Sequence, residues 1–208
     1  MIRVHLAAQP TGEQGIQNLA DWELPAAATD PFARTIEYRT DSGKSDGMQS
    51  YGGAGPVIRL PVADIIPQET DIKQVTLQGL RVFGSRYGSG FDPDTTKFHV
   101  SILAANANAV WQQDAPYSHF GYRKKWIDIV FDKPLAVAEW LDDKQILTVG
   151  IDPEAQQRKG IYFHYSNSTE DVDRPVAKGF VPDKRFFEVE GRQWMIRAYF
   201  ATGNDATP

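Results

Sequence analysis

Cysteine is absent from this chain of 208 residues. Its absence excludes a disulfide framework, a thiolate metal site and a cysteine nucleophile. Long apolar runs are also missing, since no stretch approaches the roughly 20 residues of a transmembrane helix. Residues 1–8 are too short and too polar for a signal peptide. We therefore expect no membrane span, while the compartment stays open; a secreted or cell-envelope location is favoured if the chain belongs to a larger exported protein.

The chain also lacks an excess of positive charge. It carries 22 Lys and Arg against 27 Asp and Glu, which gives a net charge of −5. Proteins that bind nucleic acids normally present a basic face, so this composition argues against a nucleic-acid partner. No internal repeat or low-complexity tract is present, and the length suits one large domain with its own core.

What the sequence does contain is a regular alternation of apolar and polar residues from Val57 to Phe200. Short alternating runs recur about every dozen residues, with Gly, Pro, Asn and Asp clusters between them. This pattern predicts an all-β fold, an antiparallel, jelly-roll-like β-sandwich of about eight or nine strands. The predicted strands are Ile36–Thr40, Val57–Val62, Val75–Phe83, Lys97–Leu103, Ala109–Gln113, Lys125–Phe131, Ile146–Ile151, Gly160–Tyr165 and Gln193–Phe200.

The alternation also sets the expected limits of the domain. Residues 1–34 lack it and are rich in Ala, Gln, Gly and Pro, which predicts a linker or a loosely packed lead-in. The sandwich is expected over residues 35–202, followed by a flexible tail at 203–208. Within it, Lys133-Pro134 is expected to end a strand because proline cannot donate to a ladder. Asp171–Phe187 is expected to be a long surface loop.

Six short motifs follow one another along the predicted sandwich. They are Asp41–Gly47, Gly84–Gly88, Pro116–Phe120, Trp126–Asp128, Lys159–Tyr162 and Trp194–Tyr199. As an ordered set they resemble a little-characterised jelly-roll-like β-sandwich accessory domain found appended to multidomain bacterial proteins, including some membrane-linked peptidases and regulatory proteins. The resemblance covers residues 36–201. It implies a non-catalytic module, and it supplies neither a ligand nor catalytic residues.

Alternation places a second set of side chains on the strand faces opposite the core. This set combines histidines, tyrosines and an arginine. It predicts a shallow platform on which aromatic rings stack against sugars while polar groups hydrogen-bond the sugar hydroxyls. The alternative is an ordinary, half-buried mixed surface. The predicted platform residues are His99, Tyr162, His164, Arg197 and Tyr199.

Aromatic residues next to Gly or Pro form a second candidate in the loops. Tyr87 and Trp126 are included in the predicted ligand site, because loop aromatics contribute a large contact area at little cost in rotamer entropy. Packing within the loops is the alternative. In that case Arg86 and Asp128 are expected to form an ion pair, since arginine can bind a carboxylate through two hydrogen bonds.

Loop aspartates supply the oxygen ligands that calcium prefers. Asp92 and Asp94 form an Asp-Pro-Asp run, and Asp41 and Asp46 flank a glycine-containing turn, so these four are the candidate ligands of a structural calcium. Turn chemistry explains the same residues without an ion. The four histidines include no pair at zinc-ligand spacing. No other cofactor is expected.

No catalytic constellation stands out. Ser118 with His119 would be the simplest serine–histidine pair, but adjacent residues in a strand point to opposite faces. Carboxylate pairs for glycoside hydrolysis can always be proposed among 27 acidic residues. We therefore expect a non-catalytic recognition or accessory module, carbohydrate-binding, whose partner is a polysaccharide or a neighbouring protein domain. The alternatives are a protein-interaction or spacer domain of a larger bacterial protein, and a β-sandwich hydrolase or lyase.

Overall fold

The computed structural model describes residues 30–167, 177–182, 184–189 and 191–203. The regular elements of these described residues lie within the compact unit Arg34–Pro208. Residues 1–29 of the predicted lead-in and residues 204–208 of the predicted tail lie outside the described part of the chain.

The described residues form thirteen strands, and every strand pair is antiparallel. The strands are β1 (Ile36–Tyr38), β2 (Gly47–Gln49), β3 (Gly55–Pro61), β4 (Val75–Gly88), β5 (Lys97–Leu103), β6 (Ala109–Pro116), β7 (Lys125–Ala136), β8 (Ile146–Asp152), β9 (Lys159–Asn167), β10 (Ala177–Val181), β11 (Arg185–Val189), β12 (Arg192–Trp194) and β13 (Ile196–Thr202).

Within the described residues, helical structure is limited to short connections between the strands. One α-helical turn, α1, covers Val62–Ile65, and short 3₁₀ helices cover Ile72–Gln74, Tyr117–His119 and Val137–Glu139. Within the described ranges, no helix has the length and apolar character needed to cross a membrane.

The strands make two sheets. Sheet 1 has the order β1-β13-β4-β9-β12, with β2 added beside β9 and β7 beside β4, and sheet 2 has the order β11-β10-β3-β8-β5-β6. The chain crosses repeatedly between the two, because β3 belongs to sheet 2, β4 to sheet 1, the β5–β6 hairpin to sheet 2 and β7 to sheet 1. The fold is therefore an all-β, jelly-roll-like antiparallel sandwich, as the alternation predicts.

One hydrophobic core fills the space between the sheets. It joins Leu80 and Ile129 of sheet 1 to Val100 and Val149 of sheet 2, all of them buried. The inward faces that the alternation predicts are confirmed by burial. The confirmed residues are Phe98, Val100, Ile102, Ile127, Ile129, Phe131, Leu147, Val149, Ile151, Ile161, Phe163, Trp194, Ile196, Ala198 and Phe200.

The structure corrects the expected end of a strand at Lys133-Pro134. Strand β7 continues to Ala136, and its register against β4 shifts between Val130 and Leu135. The proline lies inside this irregularity. It does not terminate the strand, because a bulge leaves residues without a ladder partner and so requires no N–H donor there.

The strand count is also higher than the sequence predicts. β2 and β12 have three residues each, which is too short for an alternation to be recognised. β10 and β11 occupy part of the Asp171–Phe187 segment that the sequence predicts as a surface loop. Each has only five residues, and their glycine and charged residues give them a composition typical of a turn-rich loop.

Candidate functional site

Four of the five predicted platform residues lie on the outer face of sheet 1, where much of the platform is covered, and the fifth, His99, lies on β5 of sheet 2. Tyr199 and His164 are each only 4% exposed. The Tyr199 hydroxyl donates to the Glu37 carboxylate at 2.6 Å, and His164 Nδ1 lies 2.7 Å from the Ser45 hydroxyl. The expectation that these two rings form an exposed stacking surface is wrong, because the Arg81 guanidinium lies over the Tyr199 ring and Phe83 packs against the His164 ring.

Tyr162 and Tyr87 form a separate pair on the same face. Their ring centroids are 4.6 Å apart. Tyr162 lies opposite Ser85 on β4, whereas Tyr199 lies opposite Gly79. These β4 positions differ by 85 − 79 = 6 residues, which is about 20 Å at a strand rise of ~3.3 Å per residue. A single sugar ring therefore cannot contact both Tyr162 and Tyr199.

Arg197 and Trp126 are brought together within an ion-pair network. The guanidinium carbon of Arg197 lies 4.2 Å from the Trp126 ring centroid. Its Nε and Nη2 donate to the two carboxylate oxygens of Asp41, at 3.2 and 3.1 Å. Burial lowers the pKa of Arg197, but the hydrogen bonds and charge of Asp41 raise it, and the net change is upward. These contacts hold the turn at Asp41 against β13.

Asp128 pairs with Arg81, and the expected pair with Arg86 is wrong. Arg81 and Asp128 are direct partners in the β4–β7 register, and Arg81 donates to both carboxylate oxygens, at 3.2 Å for Nη2–Oδ2. Arg86 lies an odd number of residues further along, so the alternation turns it to the other face of β4. Its guanidinium lies over the Tyr122 ring, 4.1 Å from the centroid.

The loop aspartates take part in turn and strand contacts. Asp92 Oδ1 accepts from the backbone N–H of Asp94 at 3.0 Å, as in an Asx turn. Asp46 Oδ2 accepts from the backbone N–H of Asn167 at 2.8 Å. Across the described ranges, no group of three or more His, Asp or Glu side chains is placed to hold a metal ion. Calcium binding at these aspartates or at Asp41 stays a prediction.

A cavity of about 550 Å³ lies on the outer face of sheet 2. This volume is in the range of sites for small organic ligands. Its floor is formed by alternate residues of the strands, Val57 and Arg59 on β3 and Ile146 and Thr148 on β8. The rest of the lining comes from Leu103, Ala104, Ala105, Val110, Glu139, Trp140, Leu141, Asp142, Lys178 and Phe186.

Trp140 lines the sheet-2 cavity and also packs against the hydrophobic core. It is half-buried and follows the 3₁₀ helix Val137–Glu139, where its backbone N–H donates to the Val137 carbonyl at 3.0 Å. Arg59 Nη2 lies 3.7 Å from Asp142 Oδ2. The cavity therefore combines apolar and aromatic residues with hydrogen-bond donors and acceptors, a set that the sequence pattern does not predict.

A smaller depression of about 230 Å³ adjoins the sheet-2 cavity, since Leu103 lines both. It contains His99, a predicted ligand residue. His99 Nδ1 lies 2.7 Å from Asp114 Oδ1, and its Nε2 lies 3.2 Å from Glu154 Oε1. Burial lowers the pKa of His99, but hydrogen bonds to Asp114 and Glu154 raise it, and the net change is upward. Both ring nitrogens are therefore engaged by carboxylates.

Asp152 lies beside His99 on the neighbouring strand, because the two residues are partners in the β5–β8 register. Burial raises the pKa of Asp152. One of its oxygens accepts from the backbone N–H of Glu154 at 2.8 Å. The hydrogen bond to His99 lowers the pKa of Asp114. The depression thus has an acidic wall organised around one imidazole ring.

Comparison with protein-family models, with curated protein sequences and with solved structures finds no match to this chain. The resemblance to bacterial accessory domains therefore stays a prediction. The chemistry of the site's own residues is the basis for inferring a function.

A serine–histidine contact that the sequence pattern does not predict occurs between Ser45 and His164. Burial lowers the pKa of His164, which favours its neutral form. Its Nε2 is buried and has no hydrogen-bond partner in the described part of the chain. A nucleophilic triad needs a third group that orients the base through this nitrogen. The Ser45–His164 contact lacks that group.

Proposed function

We propose that this protein is a non-catalytic carbohydrate-binding module and that the sheet-2 cavity is its sugar site. The observation that carries the proposal is the half-buried Trp140 at a cavity of about 550 Å³ with charged residues of both signs around it. A sugar ring has an apolar C–H face and a polar edge. An aromatic wall and converging donors and acceptors therefore match its two sides.

The ion pairs at the sheet-2 cavity suit neighbouring hydroxyl groups of a sugar. Arg59 lies 3.7 Å from Asp142, and Lys178 Nζ lies 3.5 Å from Glu188 Oε1. These separations exceed an ordinary charged hydrogen bond. A hydroxyl can therefore donate to the carboxylate while its neighbour accepts from the cation, which strengthens both contacts. The pairs are partly exposed, so reorganising them costs little.

The state of His99 supports a binding role over a hydrolytic or lyase role. A general base must have a free nitrogen within reach of the proton that it removes. Both nitrogens of His99 face carboxylates, at 2.7 and 3.2 Å. A setting within a larger bacterial protein of the cell envelope or the secreted fraction belongs to the same proposal and rests on the motif resemblance.

Retention on insoluble polysaccharides and a glycan array test this proposal. Trp140→Leu keeps apolar bulk but removes the ring, so we expect affinity to fall about tenfold, the effect of losing a good aromatic contact. Arg59→Gln should weaken retention less. Val130→Ala is the matched control, because Val130 is half-exposed on the outer face of sheet 1. This variant should bind as the parent does.

Two results would overturn the sugar site at Trp140. The first is a parent protein that no polysaccharide or array glycan retains. The second is equal retention of Trp140→Leu and the parent. If Tyr162→Ala abolishes retention while Trp140→Leu does not, the sugar site lies on sheet 1, as the sequence pattern predicts.

A further inference from the structure

The depression beside the sheet-2 cavity contains a serine hydroxyl without a protein partner among the described residues. Ser101 is 3% exposed and lines the depression. Its hydroxyl makes no hydrogen bond within the described part of the chain. The Ser101 hydroxyl is therefore available to a ligand that enters the depression.

Two of the three carboxylates around the Ser101 hydroxyl have a cationic partner. His99 lies against Asp114 and Glu154, and Lys159 Nζ lies 3.7 Å from Glu154 Oε2. Asp152, the strand partner of His99, forms no ion pair within the described part of the chain. Burial raises the pKa of Asp152, while the charges of His99 and Lys159 lower it.

We propose that this depression binds the protonated amino group of a sugar, so that the glycan at Trp140 carries an amino-sugar unit over Ser101 and Asp152. The placement of the neighbouring unit rests on the proposed function. An ammonium group has three N–H donors and no acceptor. The oxygens of Ser101, Asp152 and Glu154 can all accept hydrogen bonds from it. The volume of about 230 Å³ equals that of roughly eight water molecules, enough for one sugar ring.

The acidic wall favours an amine over a metal ion. A histidine must be neutral with a free nitrogen lone pair to bind a metal. His99 instead faces a carboxylate with each ring nitrogen, and these contacts raise its pKa. The imidazolium keeps Asp114 and Glu154 in place and leaves Asp152 to receive the second cation.

Titration of the ¹⁵N-labelled chain with D-glucosamine, followed by NMR at pH 6.5, tests the amine site. We expect shifts at the Ser101 amide and the Gln112 side-chain amide, both at the depression. Affinity for glucosamine should exceed that for glucose and for N-acetylglucosamine about fivefold, as for one partly exposed ion pair. Asp152→Asn should remove this preference. Asp132→Asn, which removes an exposed carboxylate from sheet 1, should retain it.

The outcomes separate the amine site from the sugar cavity. Equal affinity for glucosamine and glucose, an unchanged preference in Asp152→Asn, or no shift at Ser101 would overturn the amine site. These results would leave retention of neutral glycans at Trp140 untouched. Conversely, the glucosamine preference could depend on Asp152 while Trp140→Leu leaves glycan retention unchanged. That result supports the amine site and overturns the sugar cavity.

Discussion

Removing the side chain of Arg197 should destabilise the protein far more than removing that of Arg81. Both arginines bind an aspartate through two nitrogens on the same face of sheet 1. The partners differ in burial, since the side chain of Asp41 is 0% exposed and that of Asp128 is 34% exposed. Arg197→Ala leaves a buried carboxylate without its cation, which costs about 3–5 kcal/mol.

The control variant Arg81→Ala leaves a carboxylate that water can reach. We expect a loss of about 1–2 kcal/mol, which includes the cation–π contact of Arg81 with Tyr199. Urea unfolding followed by tryptophan fluorescence and far-UV circular dichroism measures both variants. With an m-value of about 2 kcal/mol/M, the midpoint should fall by roughly 2 M for Arg197→Ala and by less than about 1 M for Arg81→Ala.

A double variant identifies the origin of the loss at Arg197. If the penalty belongs to the unpaired carboxylate, Asp41→Asn in the Arg197→Ala background should recover at least about 1 kcal/mol. Equal midpoints for Arg197→Ala and Arg81→Ala would refute the reasoning from burial. So would a double variant that is as unstable as the sum of its two single changes.

Two further predictions concern the core and the pH dependence of stability. Phe163→Ala should lower the free energy of unfolding by about 3–5 kcal/mol because it opens a cavity in the core. Tyr162→Ala, at the half-buried neighbouring position, should lower it clearly less. Equal losses of free energy in urea unfolding would contradict the assigned faces. Folding raises the pKa of His99, so its stabilising contacts are complete below about pH 6.5 and are lost as pH rises through the folded value. The melting temperature should therefore fall between pH 6 and 8, and His99→Gln should flatten this profile; an unchanged slope would show that other groups control it.

The sandwich and its core could be predicted from the sequence, because apolar side chains that recur at every second residue lie on the same face of a strand. In β5, Phe98, Val100 and Ile102 alternate with polar neighbours, and all three are buried. The same pattern carries no information about what lies over the outer face. Tyr199 and His164 alternate correctly with the core of sheet 1, yet both are buried, with Arg81 over the Tyr199 ring and Phe83 against the His164 ring.

The sheet-2 cavity was not predictable, because its walls come from segments without a recognisable period. Trp140 follows a three-residue 3₁₀ helix, and Lys178 lies in the five-residue strand β10. Arg59 and Thr148 do lie on alternating strands, but only the register of β3 against β8 makes them direct partners. Pairing of distant strands is a property of the whole fold, and a single sequence contains no local signal for it.

The antiparallel pairing of β1 with β13 places Ile36 directly opposite Phe200. Their Cα atoms are therefore about 5 Å apart, the distance between strand partners. The chain thus enters and leaves the sandwich at one point. A short peptide joining these positions would permit circular permutation, with new ends opened at the Asn106–Asn108 turn between β5 and β6. By the same geometry, the sandwich can be inserted as a unit into an exposed loop of a host protein without separating the two sides of that loop.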